Sequence, residues 1–331
     1  MKRILCLWFP HWPIQRLLVA RPELEQRGIV LSARDPRRGE YVVACCPKAQ
    51  ASGIRPGMLR AEASTLLQRA EVDKPRRATA DRTASTADMR RAVYFQLHDP
   101  QADRQALESL AQSCEMFSPL VGLDQPQHAE GLWLEVAGVA PRWGGEDKLA
   151  AQVMERVWQQ GYRGRMALAD TLGAAWGLVR YGRMTAPHGE KNEETNGEHS
   201  VLLRVPAGQT PQALRSLPIQ ALRLSDPTLQ LLQRLGIERI EQLLALPRAG
   251  LAARLGNEVL QRWDQASGAL EEILVPHRPA PRFQAHWALE SPSCERSTIE
   301  QVVQHLCHHV AQQLAFRSRG AMQIRCRLLT A

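Results

Sequence analysis

Few residues in this chain have the types and spacing to do chemistry. The densest group is His305, Cys307, His308 and His309, in which His305 and His309 stand one helical turn apart and could share a Zn²⁺ ion. Zinc needs a third ligand and a supporting shell, and the sequence offers neither, so this group reads as an exposed helix face. Carboxylates are scarce where a metal could use them. None precedes Glu23, and Glu130 stands alone before the apolar run GLWLEV. Mg²⁺ takes several oxygen ligands, so a lone carboxylate at a strand start reads as solvated. The remaining functional groups are mostly cations. Lys+Arg total 42 against 34 Asp+Glu, a formal charge of +8, and with five lysines (Lys2, Lys48, Lys74, Lys148, Lys191) the arginines number 42 − 5 = 37. A planar guanidinium fork matches phosphate, so the balance favours an anionic partner.

The elements that must carry these groups alternate in type. RILCLWF (3–9) reads as a buried strand, and Pro13 sits where a helix to about Val19 begins. Trp8 and Trp12, at that junction, read as core filler. YVVACC (41–46) is a second strand, followed by KAQASGIRPGM with its glycine turns. A helical pattern covers about 78–97 and another 104–114. GLWLEV (131–136) is a strand, 146–160 a helix, MALA (166–169) a strand and 171–181 a helix. Strands and helices in this order give an α+β class. Residues 185–200 hold four glutamates and little apolar content and read as a mobile loop. Four short helices over about 211–268 form an all-α module. A strand from Phe283, a helix over 297–316 and a strand over 322–329 close the sequence, which leaves open sheet edges and the look of a fragment.

Global properties exclude several classes. At 44% hydrophobic and 23% charged residues, the chain has the composition of a globular protein of two or three domains. No run of about 18 apolar residues exists, so no membrane segment is expected, and Pro10 and Pro13 break the N-terminal apolar stretch that would otherwise resemble a signal peptide. Seven cysteines without a C-x-x-C pair point to reduced thiols and a cytoplasmic protein.

The order of elements resembles that of Y-family translesion DNA polymerases. The closest stretches are GIRPGM (53–58), LRLSDPTLQLLQRLGIERIEQLLALP (222–247) and SCERSTIEQVVQHLCHHVAQQLAFRSRGAMQIRCRLL (293–329). The resemblance implies a palm at 1–22 and 78–206, inserted fingers at 23–77, a helix-hairpin-helix thumb at 207–270 and an incomplete little finger at 271–331. It also implies where catalytic groups should stand. The metal-binding carboxylates of the family align with Trp8, Pro10, Glu130 and Gly131, the triphosphate ligands with Pro47, Gln50 and Leu172, and the ribose-excluding residue with Pro13. Only Glu130 retains the family's chemistry. With LCLWFPHWPIQRL in place of the acidic first strand, and SPLVGLDQP (118–126) before GLWLEV, the chain resembles the catalytically degenerate, ImuB-like and UmuC-like branch of that family.

That resemblance implies a non-catalytic DNA repair protein of SOS-induced translesion synthesis and mutagenesis. Its partners would be DNA, the sliding clamp, a RecA-like ImuA subunit and an error-prone C-family DNA polymerase, with no cofactor. The alternative is a divergent active polymerase that takes Mg²⁺ on carboxylates from elsewhere, such as Asp124 or Glu135. A third reading is a plain DNA-binding module. Expected DNA contacts are the thumb hairpin, Arg223, Leu224 and Ser225, with Ser225 or Asp226 capping the following helix, and Arg317 and Arg319 near the C-terminus. QLLAL (242–246) and QQLAF (312–316) have letters of a clamp-binding peptide but fall inside helical patterns.

Overall fold

The run ILCLW is apolar throughout because its strand, β1 (Ile4–Trp8), is the middle of a sheet covered on both faces. The computed structural model describes residues 2–72, 93–124, 129–182, 202–277, 283–289 and 291–328. They fall into two units, Met1–His277 and Arg278–Ala331. In the first, β5 (Val121–Leu123), β6 (Gly131–Glu135), β1, β7 (Arg165–Ala169) and β8 (Leu202–Arg204) form a five-stranded sheet in that order. β1 runs antiparallel to both neighbours, and its register sets Trp8 opposite Gly131 and Arg165.

Strand parity divides the core. Leu5, Leu7 and Phe9 face α4 (Pro100–Cys114) and α5 (Glu146–Gln159), packing with Leu107, Leu110, Val153 and Val157. Ile4 and Cys6 face the other way, with Trp133 and Ala167, against α6 (Leu172–Tyr181). The helix starts follow local chemistry. Asp99 accepts the Ala102 N–H at the start of α4, and Thr171 accepts that of Ala174 at the start of α6. α1 (Trp12–Ala20) opens behind His11, whose φ is 56°, with Pro13 in its first turn. Trp12 is core, as its type and position led one to expect: it is buried, stacks with Phe9 and Tyr162, and donates to the Asp103 carbonyl at 2.9 Å.

A smaller sheet in the order β3-β2-β4 joins the hairpin of β2 (Gly28–Asp35) and β3 (Gly39–Cys45) to β4 (Val93–Leu97), which lies parallel to β2. The helical pattern expected over 78–97 therefore ends as a strand, where VYFQL is β-branched and aromatic. The rest of that pattern, 78–92, lies outside the described residues, as does the loop at 185–200. The strand's hydrogen bonds run to β2, so 93–97 is tied to the small sheet. α2 (Pro47–Ala51) and α3 (Arg60–Val72) complete this part.

From residue 210 the chain is helical: α7 (Thr210–Arg215), a 3₁₀ turn (Ile219–Leu222), α8 (Asp226–Arg234), α9 (Ile240–Leu244), α10 (Arg248–Leu255) and α11 (Asn257–Ser267). This module sits directly on α6. An ideal Cβ on Gly177 would lie 2.8 Å from the Ala221 carbonyl oxygen, so only glycine permits that approach. Residues 271–277 belong with the first unit rather than beginning the next: Leu274 is buried in its core and the His277 N–H donates to the Val121 carbonyl.

The second unit contains α12 (Arg296–Phe316), with Trp287 set edge-on against His305 at 4.9 Å. The two strands expected around this helix are not formed at 283–289 or 321–328. A strand exists through its ladder, and neither segment pairs with a neighbour among the described residues.

Candidate functional site

The register of β1 with β6 brings Trp8, Glu130 and Gly131 together at one end of the sheet. Trp8 stands opposite Gly131, and the Phe9 N–H donates to the Glu130 carbonyl at 2.8 Å. The Glu130 side chain accepts from Trp8 Nε1 at 3.3 Å. Pro10 follows in the turn to α1. Gly131 has no room for a side chain: an ideal Cβ would be 2.3 Å from the Leu7 carbonyl oxygen and 3.2 Å from Asp124 Oδ2. A carboxylate is nonetheless present there, supplied by Asp124. Its Oδ1 accepts the Glu130 and Gly131 N–H groups at 2.9 and 3.0 Å.

That carboxylate is fully buried and already paired. Arg180, at the end of α6, donates from Nη2 to Asp124 Oδ2 at 2.6 Å, with its own side chain about 10% exposed. The guanidinium lies over the rings of Trp176 and Trp8, 4.2 and 5.3 Å from their centroids. The thiol of Cys6, on the same face, is pushed far above its ordinary range by burial, against the opposing pull of Arg180. The set does not fit a divalent cation. Mg²⁺ requires near-octahedral oxygen coordination; here the available carboxylate is taken up by two backbone N–H groups and a guanidinium, and among the described residues no group of three His, Cys, Asp or Glu is placed to hold a metal ion. Glu135, the other carboxylate considered, lies on β6 opposite Ile4, at the far end of the strand pair from Trp8.

Pro47, Gln50 and Leu172, expected from the resemblance at triphosphate-ligand positions, have structural surroundings here. Leu172 is buried in the core, and the hydroxyl of the preceding Thr171 donates to the Ala266 carbonyl of α11 at 2.7 Å. Pro47 begins α2, and the Gln50 amide donates to the Cys45 carbonyl. A half-buried clasp lies just before α6. Asp170 accepts from Arg3, from Thr210 Oγ1 and from the Gly208 N–H. Burial alone would raise the Asp170 carboxyl, but these bonds hold it below its ordinary value.

The turn at residues 223–225, expected to be a thumb hairpin, is occupied from within. Arg223, with φ at 56°, turns inward: its guanidinium pairs with Glu272 at 2.6 Å and lies 5.6 Å from the Trp133 ring. The side chain expected to contact phosphate is held in an internal ion pair. Leu224 is buried. Ser225 precedes α8, but its side chain does not cap that helix, nor does it leave donors free. Its N–H and hydroxyl, and the hydroxyl of Thr228, all reach the Glu258 carboxylate of α11 at 2.7–2.8 Å. Against the effect of burial, those bonds depress the Glu258 carboxyl. Arg317 and Arg319 are exposed just after α12. His305, Cys307, His308 and His309 lie along that helix, where His308 and His309 meet Gln312 and Gln313. QLLAL and QQLAF fall in or across the ends of α9 and α12.

Arg180 and Glu258 were not singled out from sequence. Arg180 left a trace, as the one charged residue of LGAAWGLVRY, a helix otherwise buried through Val179. Glu258 left none, because its partners lie 30 and 33 residues earlier.

Residues 7–177 match the impB/mucB/samB family. The chain is 37% identical over 224 residues to Protein ImuB of two Caulobacter vibrioides strains, covering 68% of this chain and 44% of that protein. It therefore spans less than half the length of these relatives. DNA polymerase IV of Dehalococcoides mccartyi is 22% identical over 309 residues, 93% of this chain and 69% of that one. Among solved structures, an insertion ternary complex of Dbh DNA polymerase superposes with a TM-score of 0.56 at 13% identity, over 82% of this chain and 69% of that chain. DinB from Sulfolobus solfataricus gives 0.55 at 12% identity, with the same coverage. At such identity these structures show the fold, which is that of Y-family polymerases.

Proposed function

The chain belongs to the impB/mucB/samB family, and from that premise we propose that it is a non-catalytic, Y-family-like protein of translesion synthesis. It binds primer-template DNA at damage and acts as a scaffold in SOS-induced mutagenesis. One observation carries the reading: where metal-bound carboxylates would act, the sheet end presents Trp8, Pro10 and Gly131, and its one buried carboxylate, Asp124, is neutralised by Arg180. Without a divalent ion, neither the primer hydroxyl nor the triphosphate is activated. The loss of phosphate ligands at Pro47, Gln50 and Leu172 agrees with this, since ligands for a nucleotide have no use without metals.

The +8 charge supports DNA as partner through phosphate neutralisation. With Arg223 and Ser225 engaged internally, that contact falls to the exposed arginines, Arg317 and Arg319 among them. The likeness to ImuB supports the sliding clamp, a RecA-like ImuA subunit and an error-prone C-family polymerase as partners in the cytoplasm. The second reading, a divergent active polymerase, draws on one observation: Asp124 stands beside Glu130, so two carboxylates share the sheet end. The test is binding of a labelled primer-template by the purified protein, together with capture of purified clamp and C-family polymerase. Salt-sensitive DNA binding and capture of both proteins support the scaffold. DNA binding without capture reduces the protein to a DNA-binding module.

A further inference from the structure

We propose that the cleft at the Ile4–Glu135 end of the main sheet is a docking site for a protein segment that presents a cationic side chain, arginine or lysine, next to an apolar one. The inference goes beyond the scaffold reading and does not depend on what the Trp8 end of the sheet does.

The cleft has a volume of about 420 Å³ and lies within the first unit, where the start of β1, the end of β6, the start of α6 and the chain after α11 meet. Ligand clefts in proteins run from about 300 to 1,000 Å³. Its walls are pinned on several sides. The Thr171 hydroxyl ties α6 to the Ala266 carbonyl of α11, and Asp170 accepts from the Gly208 N–H and from Thr210. Gly268, with φ at 89°, turns the chain back after α11, and Glu271 then pairs with Lys2. Between these ties the lining is largely apolar. Ile4, Leu172 and Leu274 are buried in it, while Leu270 is left 44% exposed. A lone exposed leucine would be unremarkable; this one shares a cleft with three core residues and with charge.

The charge selects the occupant. Four carboxylates and one ammonium line the cleft. Asp170 pairs with Arg3, Glu271 with Lys2 and Glu272 with Arg223. Glu135 alone of the four has neither an ion pair nor a side-chain hydrogen bond among the described residues. It ends β6 opposite Ile4, and its N–H donates to the Leu120 carbonyl, so the sheet fixes its place. An unpaired carboxylate beside an apolar lining suits a cation that carries apolar surface with it. Arginine and lysine lay an aliphatic stem along such a surface and keep the charge at the tip. Phosphate does not suit: in a chain of charge +8 this cleft carries the opposite sign, which selects against nucleic acid. Ile4 and Trp8 are four residues apart on β1, about 13 Å, so the cleft is separate from the Trp8 end.

The experiment uses the intact chain and a fluorescein-labelled hexapeptide of alternating leucine and arginine, with binding read by fluorescence anisotropy. Saturable binding is expected, and the matching serine–arginine and leucine–glutamate peptides should bind at least about tenfold more weakly. Glu135→Gln should weaken the leucine–arginine peptide about fivefold or more, and Leu270→Ser about three- to tenfold. Neither substitution breaks a hydrogen bond or an ion pair of the fold. Glu115→Gln, at an exposed carboxylate just after α4, should leave the affinity unchanged. Failure of the leucine–arginine peptide to saturate by about 1 mM overturns the proposal. So does equal binding of the serine–arginine peptide, which would reduce the contact to charge, or equal weakening by Glu115→Gln and Glu135→Gln. None of these readouts involves DNA, the clamp or a polymerase, so their failure is distinguishable from failure of the scaffold reading.

Discussion

Replacing Gly131 with alanine puts a methyl group 2.3 Å from the Leu7 carbonyl oxygen, about 1 Å inside ordinary contact. The obstacle is backbone in the central strand of the sheet, so no rotamer change relieves it. β1 or β6 must shift, and β1 is held on both sides by β6 and β7. Overpacking of a rigid core costs about 1–3 kcal/mol, and with backbone on one side and the buried Asp124 carboxylate on the other the upper end applies, roughly 3 kcal/mol. For a unit of this size that is a fall in melting temperature of about 6–12 °C. Gly138→Ala is the internal control: nothing lies within 4 Å of its added methyl, so it should be neutral or slightly stabilising. The assay is thermal unfolding followed by circular dichroism on both variants and wild type. If Gly131→Ala unfolds within about 1 °C of Gly138→Ala, the close approach of the two strands is refuted, and with it the finding that residue 131 has no room for a side chain.

Other outcomes follow from the same geometry. Glu258→Ala removes a negative charge from the start of α8 and frees the Ser225 and Thr228 donors; affinity for duplex DNA at low salt, read by fluorescence anisotropy, should rise about two- to fivefold. The Asp170 carboxyl is held below its ordinary 3.8, so its contribution to stability is fully present above that value and is lost as pH falls through the depressed one. Denaturation midpoints measured below about pH 5 should accordingly depend less steeply on pH in Asp170→Asn than in wild type. Three of the seven cysteines, Cys294, Cys307 and Cys326, are exposed and should titrate rapidly with a thiol reagent in the native protein. Cys6, Cys45, Cys46 and Cys114 should react only on unfolding, since they are buried and burial pushes the Cys114 thiol to about 11.

The elements readable in advance were those whose pattern is local. β1, β6 and β7 announce themselves as short apolar runs, α5 carries its periodicity and α6 also its Thr171 cap in sequence, so their bounds fall within a residue or two of the expected ones. β2 was not read, although GIVLSARD is strand-like, because its assignment depends on a hairpin with β3 and a parallel ladder with β4 from far along the chain. β4 was absorbed into a helical pattern for the same reason. At the site, the absence of acidic residues before Glu23 was legible directly. The ion pair there was not: Asp124 and Arg180 are 56 residues apart and meet only once α6 is laid across the sheet. The inward turn of Arg223 was likewise hidden, because Glu272 lies 49 residues later.

The most direct test of the account is primer extension by the purified protein, with all four nucleotides and either Mg²⁺ or Mn²⁺, at protein concentrations that saturate the primer-template. The account predicts bound DNA and no added nucleotide with either metal. Extension by wild type that is lost in Glu130→Ala or Asp124→Asn would contradict it, and would mean that these two carboxylates hold metal despite the guanidinium of Arg180 between the tryptophans.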